Sequence, residues 1–133
     1  RRIQGRSFRS LWRGETPEDW RRAMYYRYWQ NGSIHNTAAH YGIRTHTHKL
    51  IYYTYDGCDQ PGSDDPYAAD DDPIPSLSTF APEWELFDLE KDPRELNNVY
   101  DDPAYAGIRE HLKVELHRLQ AEVGDTRYPA DTD

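Results

Sequence analysis

The side chains best suited to chemistry gather in one stretch, His35-Asn36-Thr37-Ala38-Ala39-His40-Tyr41-Gly42-Ile43-Arg44-Thr45. Imidazoles donate or accept hydrogen bonds. A guanidinium presents a planar fork that matches carboxylate or phosphate oxygens. His40 and Arg44 are four residues apart, so in an extended strand both point to the same face. His35, His40 and Arg44 are therefore candidates to contact an anionic ligand. The competing reading is a satisfied structural histidine with Arg44 paired to a carboxylate, and the residues alone leave the two level.

The remaining reactive types are weaker candidates. His46 and His48 flank Thr47, but no cysteine or carboxylate joins them at a zinc-ligand spacing, so exposed turn residues are expected. His111 and His117 lie six apart in a helical pattern, face different directions and read as surface residues. Cys58, the single cysteine, sits in Asp56-Gly57-Cys58-Asp59, where neighbouring acids raise a thiol pKa, so it reads as inert. Asp64-Asp65 and Asp70-Asp71-Asp72 lack the alternate-ligand spacing, the central glycine and the closing glutamate of an EF-hand loop. No glycine-rich phosphate loop, serine elbow or cysteine pair is present.

The elements that must position the first cluster follow from periodicity. Ala23 to Trp29, Ala39 to Thr45, Lys49 to Tyr55 and Trp84 to Leu89 are rich in Tyr, Trp, Ile and Thr, which favours strands. In the first, Met24, Tyr26 and Tyr28 share one face and Tyr25, Arg27 and Trp29 the other. Gly42 marks a place in the second where a side chain would crowd a neighbour. Gly5 to Gly14 suggests a short amphipathic turn or helix carrying Phe8, Leu11 and Trp12, an apolar patch expected to dock elsewhere. Thr16-Pro17-Glu18-Asp19 and Asp92-Pro93-Arg94-Glu95 both carry helix-start signals. After Asp101-Asp102-Pro103, the residues Tyr105, Ile108, Leu112, Leu116, Leu119 and Val123 form one helical stripe, and Gly124 ends it. Glu110–Lys113 and Arg118–Glu122 are spaced to pair along this helix. The expected fold is α+β: a four-stranded antiparallel sheet packed against a long C-terminal helix.

Between the third and fourth strands, residues 56–82 hold seven Asp, five Pro and two Gly without sustained periodicity, which reads as a long acidic, solvated loop. Residues 126–133 read as a loose tail. At 133 residues the chain is one domain at most, and 36% apolar content with a mean hydropathy of -1.07 predicts a thin core. The net charge of -8 argues against general nucleic-acid binding, although the first thirteen residues hold five Arg and no acid. No apolar run is long enough to span a membrane. The chain opens on Arg1-Arg2 without an initiator Met, which raises the expectation of a piece of a longer protein.

Several blocks resemble the C-terminal subdomain of type I sulfatases, closest to the bacterial N-acetylglucosamine-6-sulfatase or mucin-desulfating type. They are Gln4-Gly5-Arg6-Ser7-Phe8, Tyr25 to Trp29, His35-Asn36 with His40 to Thr45, Lys49-Leu50-Ile51, Trp84 to Pro93 and Leu96 to Tyr100. The resemblance runs from about Gln4 to Thr126. It implies a four-stranded antiparallel subdomain with a C-terminal helix that closes over the mouth of a substrate pocket. It also implies a preceding alkaline-phosphatase-like domain that carries calcium and a formylglycine, made from cysteine in a Cys-x-Pro/Ala-x-Arg context. Cys58 is followed by Asp59-Gln60-Pro61-Gly62 and does not match that context, so neither cofactor is expected in this chain and no catalytic residue is assigned to it. On the resemblance, His35, His40 and Arg44 match positions that approach a sulfated sugar. The implied partners are a sulfated glycan and the preceding domain, and the implied compartment is periplasmic or secreted. The family pattern has Arg-Tyr before the lysine of the third strand where this chain has His46-Thr47-His48.

Overall fold

The computed structural model describes residues 5–29, 37–54 and 81–125. The expectations for His35, Cys58, the tail 126–133 and the acidic loop before Ala81 lie outside the described residues. Four strands form within one or two residues of their expected bounds: β1 (Ala23–Tyr28), β2 (His40–Thr45), β3 (His48–Tyr53) and β4 (Glu83–Asp88). They pair in sequence order, each antiparallel to the next, with Tyr26, Gly42, Ile51 and Glu85 in one row across the sheet.

One face of the sheet carries Tyr41, Ile43, Leu50 and Leu86, and α1 (Ala106–Val123) covers it with Leu112 and Leu116. Ile43, Leu50, Leu86 and Leu116 are fully buried. Burying four such side chains contributes on the order of 1.5–3 kcal/mol each. The helix is positioned at both ends. Asp102 accepts a hydrogen bond from the Ala104 amide at 2.9 Å and caps the 3₁₀ turn Pro103–Tyr105 that leads in. Gly124 ends α1 at φ 77°, a left-handed conformation that costs glycine little. The next residue, Asp125, accepts from Arg27 at 2.8 Å and from the Tyr25 hydroxyl, which ties the helix terminus to β1.

Neither early helix-start signal produces a helix. Around Thr16 to Asp19 there is one turn, closed by the Trp20 amide on the Pro17 carbonyl at 2.9 Å, and the Asp19 carboxylate is bound to Arg6. β1 begins at Ala23, too soon for a helix to repay nucleation. Asp92 does cap, accepting from the amides of Leu96 and Asn97 at 2.7 and 2.8 Å, but Glu95 adopts φ 56° and the chain leaves helical geometry. Leu96 is 74% exposed and offers no apolar face to pack. The chain instead runs beside β4, where the Val99 amide donates to the Leu86 carbonyl and the Leu86 amide to Asn98 Oδ1. At the N-terminal end only Leu11–Arg13 forms a 3₁₀ turn, closed by Gly14 at φ 75°. Trp12 stays 84% exposed and Phe8 packs edge-on against it, so the apolar patch expected there is present.

On α1, Arg118 pairs with Glu122 at 2.9 Å as expected, and also with Glu115. Glu110 is held by Arg109 and not by Lys113, because the Lys113 ammonium lies over the rings of Trp84 and Tyr100.

Candidate functional site

The face of the sheet away from α1 is built from the alternate residues of each strand. It presents Met24, Tyr26 and Tyr28 on β1, His40, Gly42 and Arg44 on β2, Lys49, Ile51 and Tyr53 on β3, and Glu83, Glu85 and Phe87 on β4. Ile51 and Phe87 are buried there, while Met24 and Arg44 are exposed. The face is therefore an aromatic and charged surface laid over a small apolar floor.

His40 and Arg44 share this face, as their spacing requires, but they do not touch. The Tyr26 side chain lies across Gly42 between them: a Cβ at position 42 would stand 2.6 Å from the Tyr26 hydroxyl and 2.5 Å from the Leu50 carbonyl oxygen. Only glycine leaves room for that phenol. Its hydroxyl is enclosed without a hydrogen-bond partner among the described residues, and burial pushes its pKa well above the usual tyrosine range.

Around His40 the chain builds an aromatic collar. Tyr28 stacks on the imidazole with centroids 5.5 Å apart, Tyr53 tilts against it at 5.2 Å and Tyr26 meets it edge-on at 6.0 Å. His40 Nδ1 is 2.7 Å from the Ala38 carbonyl oxygen, which can only accept, so Nδ1 carries the proton. In the neutral ring Nε2 is then the acceptor. The support beneath is rigid: Ala39 is buried, and its carbonyl takes both the amide and the hydroxyl of Thr54, at 2.9 and 3.2 Å. Tyr53 is pushed up to about 12 by burial first and by Glu85 second. Glu85 itself is raised by burial, against the lowering effect of its hydrogen bond from Tyr53.

Arg44 reaches the other way. Its guanidinium is 3.5 Å from Glu95, with half of the side chain in solvent, and Lys49 donates to the second oxygen of the same carboxylate. The structure thus realises part of the competing reading: Arg44 does meet a carboxylate, loosely, and keeps an exposed edge. Sequence reasoning placed Met24, Tyr26 and Tyr28 on one face but missed that Tyr26, Tyr28 and Tyr53 surround His40. Strand alternation carried that signal once the register was known. The role of Glu95 had no local signal, because its partners lie 51 and 46 residues away.

The other histidines are elsewhere. His46 is exposed, as expected. His48 begins β3 and is half-buried on the α1 side, so it is not an exposed turn residue. Thr47 holds its Nδ1 at 2.8 Å, while Nε2 is enclosed without a hydrogen-bond partner among the described residues. His111 is exposed, whereas His117 is half-buried with an enclosed Nε2, since its position turns partly under the helix. Among the described residues no three His, Cys, Asp or Glu side chains gather to hold a metal ion, and no helix is long and apolar enough to cross a membrane.

Comparison with known proteins places this architecture. The family model N-sulphoglucosamine sulphohydrolase, C-terminal, matches residues 1–73 and 77–122. N-acetylglucosamine-6-O-sulfatase of Bacteroides thetaiotaomicron is 34% identical over 125 residues, which is 92% of this chain and 18% of that protein. A protein solved in complex with its substrate D-glucosamine-2-N,6-O-disulfate is similar at 32% identity and a TM-score of 0.61, over 90% of this chain and 19% of that one. The phosphonate monoester hydrolase of Agrobacterium radiobacter, at 22% identity and a TM-score of 0.57 over 89% of this chain and 20% of its own, shares the fold. The chain spans about a fifth of the length of these relatives. The four-stranded sheet, its helix and the matched blocks agree with one another: this chain belongs to the N-sulphoglucosamine sulphohydrolase C-terminal family.

Proposed function

We propose that this chain is the sugar-facing C-terminal part of a sulfatase that hydrolyses sulfate esters on glucosamine-type glycans. The observation that carries the reading is the open sheet face: His40 fixed in one tautomer within an aromatic collar, and Arg44 held at the surface with an unspent edge. His40 Nε2 is suited to accept from a sugar hydroxyl, and Tyr28 and Tyr53 offer ring surface for its C–H groups. Arg44 is suited to a hydroxyl or an anionic substituent. His35 joins them in this proposal on family resemblance.

The described residues do not fit a calcium ion. Of the acids at the open face, Glu95 is held by Lys49 and Arg44 and Glu85 by Tyr53, and among the described residues no three His, Cys, Asp or Glu side chains gather there. Calcium and formylglycine, which together supply a polarised ester and its nucleophile, are assigned in this proposal to a preceding domain. This chain's contribution is binding and orientation. Contacts of that kind use energy remote from the reacting sulfur and fix the ester for attack.

The reading is tested in two steps. This chain alone, with calcium added, is expected to hydrolyse neither an aryl sulfate nor glucosamine 6-sulfate. The reading frame upstream is expected to encode a Cys-x-Pro/Ala-x-Arg segment, and the joined protein is expected to release sulfate from glucosamine 6-sulfate. Hydrolysis by the chain alone, or an upstream frame without such a segment, contradicts it.

A further inference from the structure

A second surface lies on the other side of the sheet, where the β2–β3 turn faces the first turns of α1. It forms a cleft of about 450 Å³. Ile108 and Leu112 give it an apolar floor, and Arg22, His46, His48 and His111 stand around it, with no carboxylate in the lining. The chain is acidic overall, and most of its described cations are paired: Arg6, Arg27, Arg44, Lys49, Lys91, Arg109 and Arg118 each meet an acid. Arg22 and His46 meet none among the described residues, although both are exposed. The nearest helix acids are engaged elsewhere, Glu110 by Arg109 and Glu115 by Arg118, and Glu115 also lies within electrostatic reach of His111.

The turn that presents His46 is prebuilt. Thr45 Oγ1 accepts from the amides of Thr47 and His48 at 3.2 and 2.9 Å and donates to the His48 carbonyl at 3.1 Å. Both hydroxyls of the turn are thus spent on its own geometry, and His48 serves as wall, its Nδ1 taken by Thr47. The Arg22 guanidinium beside low-dielectric walls attracts an anion more strongly than the same group free in water, and the two imidazoles add N–H donors.

We propose that this cleft binds a tetrahedral oxyanion, sulfate or phosphate, through Arg22, His46 and His111. Charge complementarity selects an anion, the cationic fork of Arg22 suits its oxygens, and the apolar floor accommodates a small body attached to it. The site is independent of the open-face reading, because it uses no residue of that face.

The test is titration calorimetry on this chain with sodium sulfate, sodium phosphate, glucosamine 6-sulfate and N-acetylglucosamine, each against sodium chloride at matched ionic strength. Saturable binding of the three anions, and none of N-acetylglucosamine, is expected. Tighter binding of glucosamine 6-sulfate than of sulfate, weakened by Arg22→Gln and kept in Arg44→Gln, marks a sugar-borne anion in the cleft; equal binding marks the free ion, and either supports the site. Arg22→Gln and His111→Gln are exposed substitutions, expected to weaken binding roughly three- to tenfold each with an unchanged circular-dichroism melt. Arg94→Gln, an exposed cation outside the lining, is expected to leave it unchanged. Non-saturable heats, equal affinity in Arg22→Gln, or loss of inorganic sulfate binding in Arg44→Gln instead would overturn the proposal.

Discussion

The two faces of one sheet are made by the same four strands and do opposite things. Toward α1 the alternating residues are Tyr41, Ile43, Leu50 and Leu86, and the charged groups among them are closed into pairs: Arg27 with Asp125, and Asp88 with Lys91 and the Tyr105 hydroxyl. Away from α1 the same strands place Tyr28, His40, Tyr53, Arg44 and Glu85 over a floor of Ile51 and Phe87, and the ion pairs are longer or shared. The first face stores stability. The second contributes less to it and leaves an edge of the Arg44 guanidinium in solvent, as a ligand surface needs.

That division makes unequal demands on mutation. The largest loss is expected on the α1 side. Arg27 and Asp125 are 8% and 15% exposed, and breaking such a pair leaves a charge without its partner, so Arg27→Ala should cost roughly 3–5 kcal/mol. Leu116→Ala, at a fully buried site, should cost about 2–5 kcal/mol in a urea melt. On the open face, Gly42→Ala should displace the Tyr26 ring and cost about 1–3 kcal/mol. Arg44→Ala should fall at 0–1 kcal/mol or about that, since its contact with Glu95 is long and half-exposed. If Arg44→Ala destabilised as much as Arg27→Ala, the contrast between the faces would be lost.

A smaller effect separates the faces by pH. Asp88 is held below its usual range, first by the Lys91 hydrogen bond, then by that from Tyr105. A depressed carboxylate contributes stability above its ordinary pKa, near 4, and loses it as pH falls. Glu85 is shifted the other way by burial. A raised carboxyl favours the fold while protonated, and that contribution fades as pH climbs through its ordinary value. Asp88→Asn should therefore lower the melting temperature at pH 7 and matter less toward pH 2. Glu85→Gln should be neutral or stabilising at pH 7, with the difference vanishing below about pH 4. Melts of both variants across that range check the signs.

Much of this architecture was legible because local chemistry and long-range packing agree. Period-two aromatics gave the strands, the Tyr105 to Val123 stripe gave the helix, and Gly124 gave its end. Where they disagree, the sequence misled: Asp92-Pro93 has the chemistry of a helix start, but the pull of Glu95 toward Lys49 and the pairing of Val99 with β4 redirect the chain. The site was half legible. The spacing of His40 and Arg44 placed them on one face, yet nothing local revealed that Tyr26 would lie between them, since that depends on the register of β1 against β2. The apolar patch read from Phe8, Leu11 and Trp12 is present, with Phe8 and Trp12 exposed.

The central claim is that the open face serves a sugar and not the sulfur chemistry. In a protein that joins this chain to the preceding domain proposed for it, kcat/KM is measured for glucosamine 6-sulfate and for a small aryl sulfate, in wild type, His40→Ala and Arg44→Ala. Loss of the charged Arg44 hydrogen bond costs roughly 1.5–3 kcal/mol, so a drop of about ten- to a hundredfold is expected for Arg44→Ala on the sugar substrate and a smaller one for His40→Ala, with the aryl sulfate nearly unchanged because it never uses these contacts. Equal losses on both substrates, or none on either, would contradict the account.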